Sequence, residues 1–159
     1  MIRMIVQGLT IDPASNSPIL ILKEPEGERS LPIWIGLLEA TAIASELEKV
    51  AFARPMTHDL LRNVITALDH SISKIEVVDL RDNTFYALIH LLGPAGERVI
   101  DARPSDAVAL ALRAQAPIFV AAKVLEMAGG AEARGAEDED KWKDLLEKMD
   151  PEDFGKYKM

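Results

Sequence analysis

The chain has 159 residues, of which 48% are apolar, enough for one domain with a real core and an appendage. It contains no cysteine, which excludes disulfides, thiol nucleophiles and cysteine metal sites. Its net charge is −8, split evenly between residues 1–130 (12 basic, 16 acidic) and 131–159 (6 and 10), so the basic stripe of a protein that grips nucleic acid through phosphates is missing.

In chain order, residues 2–11 carry Ile5, Val6, Leu9 and Ile11 in a pattern that suits a strand. Turn material follows at 12–18, then a short apolar strand run at 19–22. Pro25-Glu26-Gly27 breaks that run, and Leu31-Pro32-Ile33-Trp34-Ile35 reads as a third strand with Trp34 as a core residue. Gly36 releases the chain into a helix over about 37–52, with Ala40, Ile43, Ala44, Leu47 and Val50 at three- and four-residue steps. A second helix opens at Arg54-Pro55-Met56-Thr57-His58-Asp59. There Thr57 is the expected N-cap, Met56 and Leu61 form a hydrophobic staple, and Leu60, Leu61, Val64, Ile65 and Leu68 make the expected buried face. That helix ends near His70.

The second half repeats the order, with strands at 75–80, 85–92 and 98–102. Ser105 is the expected cap of a helix reaching about 116, followed by an extended piece at 117–120 and a brief helix at 123–127. A three-strand-plus-helix unit used twice predicts an α+β fold, mainly antiparallel sheet covered by helices. Gly129-Gly130 marks a boundary, dividing a domain at 1–130 from an acidic linker and amphipathic tail at 131–159. In the tail, Trp142, Leu145, Leu146 and Met149 share one helical face. An isolated helix of about a dozen residues is marginal in water, so this one is expected to dock on its own domain, a second subunit or a partner.

The duplication is sharpest at the helix starts. Glu39-Ala40-Thr41-Ala42-Ile43-Ala44 matches Asp106-Ala107-Val108-Ala109-Leu110-Ala111, and each copy follows a Gly-Glu-Arg turn, at Gly27 and Gly96. Related halves place equivalent groups around a shared axis, which here would bring carboxylates together. Three polar groups are candidates for a site: Glu39; Arg54, Thr57, His58 and Asp59; and Asp101, Arg103, Ser105 and Asp106. Glu39, Asp59 and Asp106 could supply oxygen ligands to Mg²⁺ or Mn²⁺, His58 could act as general acid or base, and Arg54 or Arg103 could hold a phosphate. The structural alternative is equally definite. The three acids stand in first helical turns, where they complement the dipole for about 0.3–1 kcal/mol each, and Asp101 could pair with Arg103. His70 reads as a helix-end residue and His90 as a strand residue between apolar neighbours.

Three phrases, Leu31-Pro32-Ile33-Trp34-Ile35-Gly36 with Glu39-Ala40, Arg54 to Leu61, and Asp101-Ala102-Arg103-Pro104-Ser105-Asp106-Ala107, together resemble the bifunctional nuclease (BFN) domain family over about residues 3–127. The resemblance implies an α+β fold, frequent oligomerisation, and cleavage of RNA and DNA as in plant members. Carried onto the matching phrases, it makes Glu39, His58, Asp59, Asp101, Arg103, Ser105 and Asp106 the candidate catalytic set. Some bacterial relatives bear C-terminal helices like those of the UvrB and UvrC repair proteins. Residues 141–154 are faintly similar to these and could meet a protein partner, although docking on their own domain is preferred. The expectation is a cytoplasmic, homo-oligomeric, divalent-metal nuclease without a signal peptide or membrane span. The alternative is a non-catalytic binding or regulatory module that assembles as a homo-oligomer.

Overall fold

The computed structural model describes residues 1–129; the tail at 131–159 and its expected partner contact at 141–154 lie outside the described residues. The elements are β1 (Ile2–Ile11), β2 (Pro18–Lys23), β3 (Ser30–Trp34), α1 (Leu37–Leu47), α2 (Thr57–Ala67), β4 (Ser71–Arg81), β5 (Thr84–Gly93), β6 (Gly96–Ala102), α3 (Pro104–Ala114), β7 (Ile118–Val120) and α4 (Ala122–Met127). The fold is α+β, and the seven strands form one sheet in the order β3-β2-β1-β7-β4-β5-β6.

Each half is an antiparallel meander followed by an alanine-rich helix. Both meanders keep their first strand inside, so β3 and β6 become the two edges. β7 joins them, running antiparallel to β1 and parallel to β4. β1 and β4 therefore run in opposite directions, and the two halves stand in a symmetric relation across β7. α1 leaves one edge, α3 leaves the other, and the two helices meet over the sheet. Small side chains allow the approach: Ala40 and Ala44 of α1 and Ala107 and Ala111 of α3 are fully buried. Leu20, Leu22, Leu31, Ile43, Ile75, Val77, Val108, Leu110 and Val120 fill the core, each contributing about 1.5–3 kcal/mol by burial.

Several local expectations are corrected. α1 stops at Leu47, because Lys49 takes a left-handed conformation (φ 54°) that ends the helix short of residue 52. Leu47 and Val50 are consequently exposed. Thr57 is the first helical residue of α2, not its cap; Met56 is the cap position, and its N–H donates to Asp59 Oδ2 at 3.0 Å. Ser105 lies inside the first turn of α3 and is buried, while Arg103 takes the cap position. Trp34 is not in the core but 51% exposed.

The largest correction concerns α2, which buries none of its residues. Leu60, Leu61, Val64 and Leu68 face outward, while His58, Asp59, Arg62 and Ile65 are the half-buried positions. Amphipathic spacing reveals that a helix has an apolar face; it does not reveal what covers that face. Here the polar side packs against α3, because Arg113 of α3 holds Asp59 at 2.8 Å and Arg62 donates to the Arg113 carbonyl at 3.2 Å. Among the described residues no helix is long and apolar enough to cross a membrane.

Candidate functional site

The inward side of α2 and the starts of α1 and α3 converge. Glu39 comes from the first turn of α1, His58 from the first turn of α2, and Arg103 and Asp106 from the entrance to α3. Arg103 Nη1 donates to Glu39 Oε1 at 2.9 Å, and its Nε donates to Asp106 Oδ2 at 2.9 Å. The other oxygen of Asp106 lies 2.9 Å from His58 Nε2. A Cβ at Gly36 would meet the Glu39 carboxylate, so any side chain there would have to push that carboxylate aside.

The electrostatics of the cluster centre on Asp106. Partial burial raises the Asp106 carboxyl, but hydrogen bonds from Arg103 and His58 outweigh it and hold the group below its ordinary range. Hydrogen bonds to Asp106 and Glu39 likewise push Arg103 upward. An ionised carboxylate can only accept, so His58 Nε2 carries the hydrogen. Nδ1 has no partner among the described residues. Arg103 remains 63% exposed in its side chain, and its Nη2 has no partner among the described residues.

These groups border a cavity of about 750 Å³ between α1, α2, α3 and β6. Its wall is mainly apolar, with Leu37, Leu38, Met56, Leu61 and Ile100, and the polar cluster interrupts it. A second cleft of about 330 Å³ is bounded by Trp34, Asn83, Thr84 and Phe85. The two cavities share only Glu39 and Arg103, so that ion pair forms the partition between them.

Other candidates fall elsewhere. Asp59 borders neither cavity; it accepts from Met56 N–H and from Arg113 Nε. Burial raises its carboxyl, yet these donors together leave it below its ordinary value. Asp101 borders the larger cavity from β6, but Arg103 turns to Glu39 and Asp106 instead. Ser105 borders the smaller cleft, and Arg54 is exposed on the loop before α2, outside both. His70 bonds the Leu68 carbonyl at 2.7 Å. His90, in β5, is buried between Glu76 and Glu97, with the Glu97 contact at 2.6 Å.

Arg113 escaped the sequence reading. Its side chain is 2% exposed and ties three helices together, donating to Asp59, to the Ala109 carbonyl at 3.0 Å and to the Ala42 carbonyl at 3.0 Å. The signal was present as an arginine in the apolar stripe of α3, where a buried guanidinium demands acceptors.

The donor set does not fit a resident divalent ion as arranged. Among the described residues no three histidine or acidic side chains lie close enough together to hold a metal. The two carboxylates that converge, Glu39 and Asp106, share one guanidinium, which offsets one of their two charges and sits between them. What the arrangement can do is orient an imidazole and present a cation beside it.

A duplicated α+β sheet with its polar cluster at the junction of the two helix entrances defines the class, and comparison of the sequence specifies it. Residues 20–132 match the bifunctional nuclease domain model. An uncharacterized protein of Mycobacterium tuberculosis is 45% identical over 159 residues, covering 94% of this chain and 95% of that protein. Bifunctional nuclease 1 of Arabidopsis thaliana is 26% identical over 118 residues, covering 72% of this chain and 36% of that protein. Bifunctional nuclease 2 of Oryza sativa subsp. japonica is 25% identical over 118 residues, with the same coverages. The chain belongs to the bifunctional nuclease domain family.

Proposed function

We propose that this chain hydrolyses phosphodiester bonds of RNA, DNA or both at the His58–Asp106–Arg103 cluster. The observation that carries the reading is the double use of Asp106: one oxygen orients His58 and the other holds Arg103, both at 2.9 Å. With Nε2 committed to Asp106, His58 Nδ1 takes a proton from water as the water oxygen bonds to phosphorus. The P–O bond to the departing nucleoside oxygen breaks, and that oxygen takes its proton from solvent while His58 later returns its own to solvent. Arg103 meets the phosphate through Nη2 and offsets the charge that builds on its oxygens. Glu39 positions the guanidinium from the other side. No step is assigned to Mg²⁺ or Mn²⁺, because Glu39 and Asp106 already share a cation. The names of the plant relatives support the reaction class. The test is cleavage of end-labelled RNA and DNA by wild type, His58→Gln and Arg103→Ala, each with EDTA and with Mn²⁺. Equal traces of cleavage from all three proteins would mark contamination and end the proposal.

A second reading, a binding or regulatory module built by self-assembly, is favoured by the outward apolar face of α2 together with the exposed edge strand β6. Leu61 of α2 and Ile100 of β6 border the same cavity, so the two features form one surface. An exposed strand edge is a template for another chain, and a second copy offers the same edge about a two-fold axis. The two readings are compatible, since the cluster lies beside this surface.

A further inference from the structure

The smaller cleft has no part in the mechanism above, yet it shares the Arg103–Glu39 partition with the cavity that does. Its most exposed large side chain is Trp34, at the end of the edge strand β3. The ring is not loose: indole Nε1 donates to Asp12 Oδ2 at 3.1 Å, which fixes its orientation from the far side of a turn. Phe85 supplies a second aromatic wall, and Asn83 and Thr84, at the tip of the β4–β5 hairpin, supply donors and acceptors. A tethered, half-exposed indole in a cleft that ends on an arginine is the combination used to stack a base and hold its phosphate.

We propose that this cleft stacks a nucleobase of single-stranded nucleic acid on Trp34, so that the adjoining phosphate reaches Arg103. The proposal rests on the phosphodiester reading for its ligand class and adds a binding subsite to it. It also resolves the problem of charge. An acidic chain without a basic stripe cannot draw its affinity from many phosphate contacts. Stacking is indifferent to net charge, because every base has an aromatic face. Affinity carried by one stacked base and one arginine depends weakly on salt, about threefold between 50 and 200 mM for a single phosphate contact on a single strand. A base-paired duplex cannot lend a base to the ring and is a poor ligand.

The test is fluorescence anisotropy of labelled eight-residue oligo-dT and oligo-U with the full chain, read directly after mixing and with the oligomers checked on a gel to be intact. Wild type binds both strands, and an abasic oligomer of the same length binds at least about tenfold more weakly. Trp34→Ala weakens the intact oligomers by about tenfold or more, while Trp34→Phe, which keeps an aromatic face, retains most of the affinity. Abasic and intact oligomers binding alike to wild type would overturn the stacking site without any variant that has to fold. So would unchanged affinity in a folded Trp34→Ala, or no binding of either oligomer. Cleavage by wild type is scored separately after long incubation: oligomers that bind through Trp34 but are never cut by wild type would remove the nuclease reading and leave the subsite standing.

Discussion

Glu39 and Asp106, equivalent residues of the two halves, meet on one guanidinium, each 2.9 Å from a nitrogen of Arg103. The arginine thus occupies the position between two carboxylates where a cation would otherwise be drawn. Arg103→Ala leaves that pair of charges unneutralised at short range. We expect the variant to bind Mn²⁺ at least about tenfold more tightly than wild type by calorimetry, while losing phosphodiesterase activity. Sub-millimolar Mn²⁺ binding by wild type, with no gain in the variant, would refute this reading of the arginine.

His58→Gln keeps a donor near Asp106 and removes the group that exchanges a proton. Cleavage should fall by roughly 10²–10⁴-fold with the thermal midpoint little changed. A folded variant that retains full activity would exclude His58 from the chemistry.

Arg113 is the internal tie of α1, α2 and α3. Removing one partner of a buried ion pair strands the other, and Arg113→Ala should cost about 3–5 kcal/mol in urea unfolding. Arg113→Lys keeps the charge but cannot reach Asp59 and two carbonyls with one planar fork, so it should recover only part of the loss. An alanine variant as stable as wild type would show that the tie contributes nothing.

Asp59 gives a pH signature. Its folded value is depressed below the ordinary 3.8. Such a group stabilises the fold fully above the unfolded value, and its contribution is lost as pH falls through the folded value. Wild type should lose stability below about pH 4. Asp59→Asn should be less stable at neutral pH and flatter in the acid range. Parallel denaturation curves for the two proteins across pH 2–6 would assign the acid sensitivity elsewhere (range set by the carboxyl values near pH ~4).

The outward face of α2 predicts assembly. Light scattering should give wild type at least about twice the mass of a single chain, as in a two-fold pair. Leu60→Lys with Ile100→Lys should return it to one chain. A monomeric wild type would mean that the α2 face is left to another partner.

Much of the fold is legible in the amino-acid sequence. Strand runs such as Ile19–Leu22 and the alanine phrases at Glu39 and Asp106 specify local structure through side-chain period and backbone preference, and the duplication they imply is the pseudo-symmetric sheet. Helix ends were less legible, because one left-handed residue such as Lys49 stops a helix whose apolar pattern continues. The burial of α2 is not legible in its sequence, because its period gives two faces without labels and the inward one is held by Arg113, a residue far away in the chain.

The site divides in the same way. The sequence alone determined which acids, which histidine and which arginine stand at helix entrances, since those preferences are local. Only the tertiary structure decided that Arg103 serves Glu39 and Asp106 rather than Asp101, that Asp59 belongs to Arg113, and that Trp34 stands in a cleft instead of the core. Pairing between charges depends on where the sheet and helices deliver them, a matter of long-range packing that no short window of residues encodes.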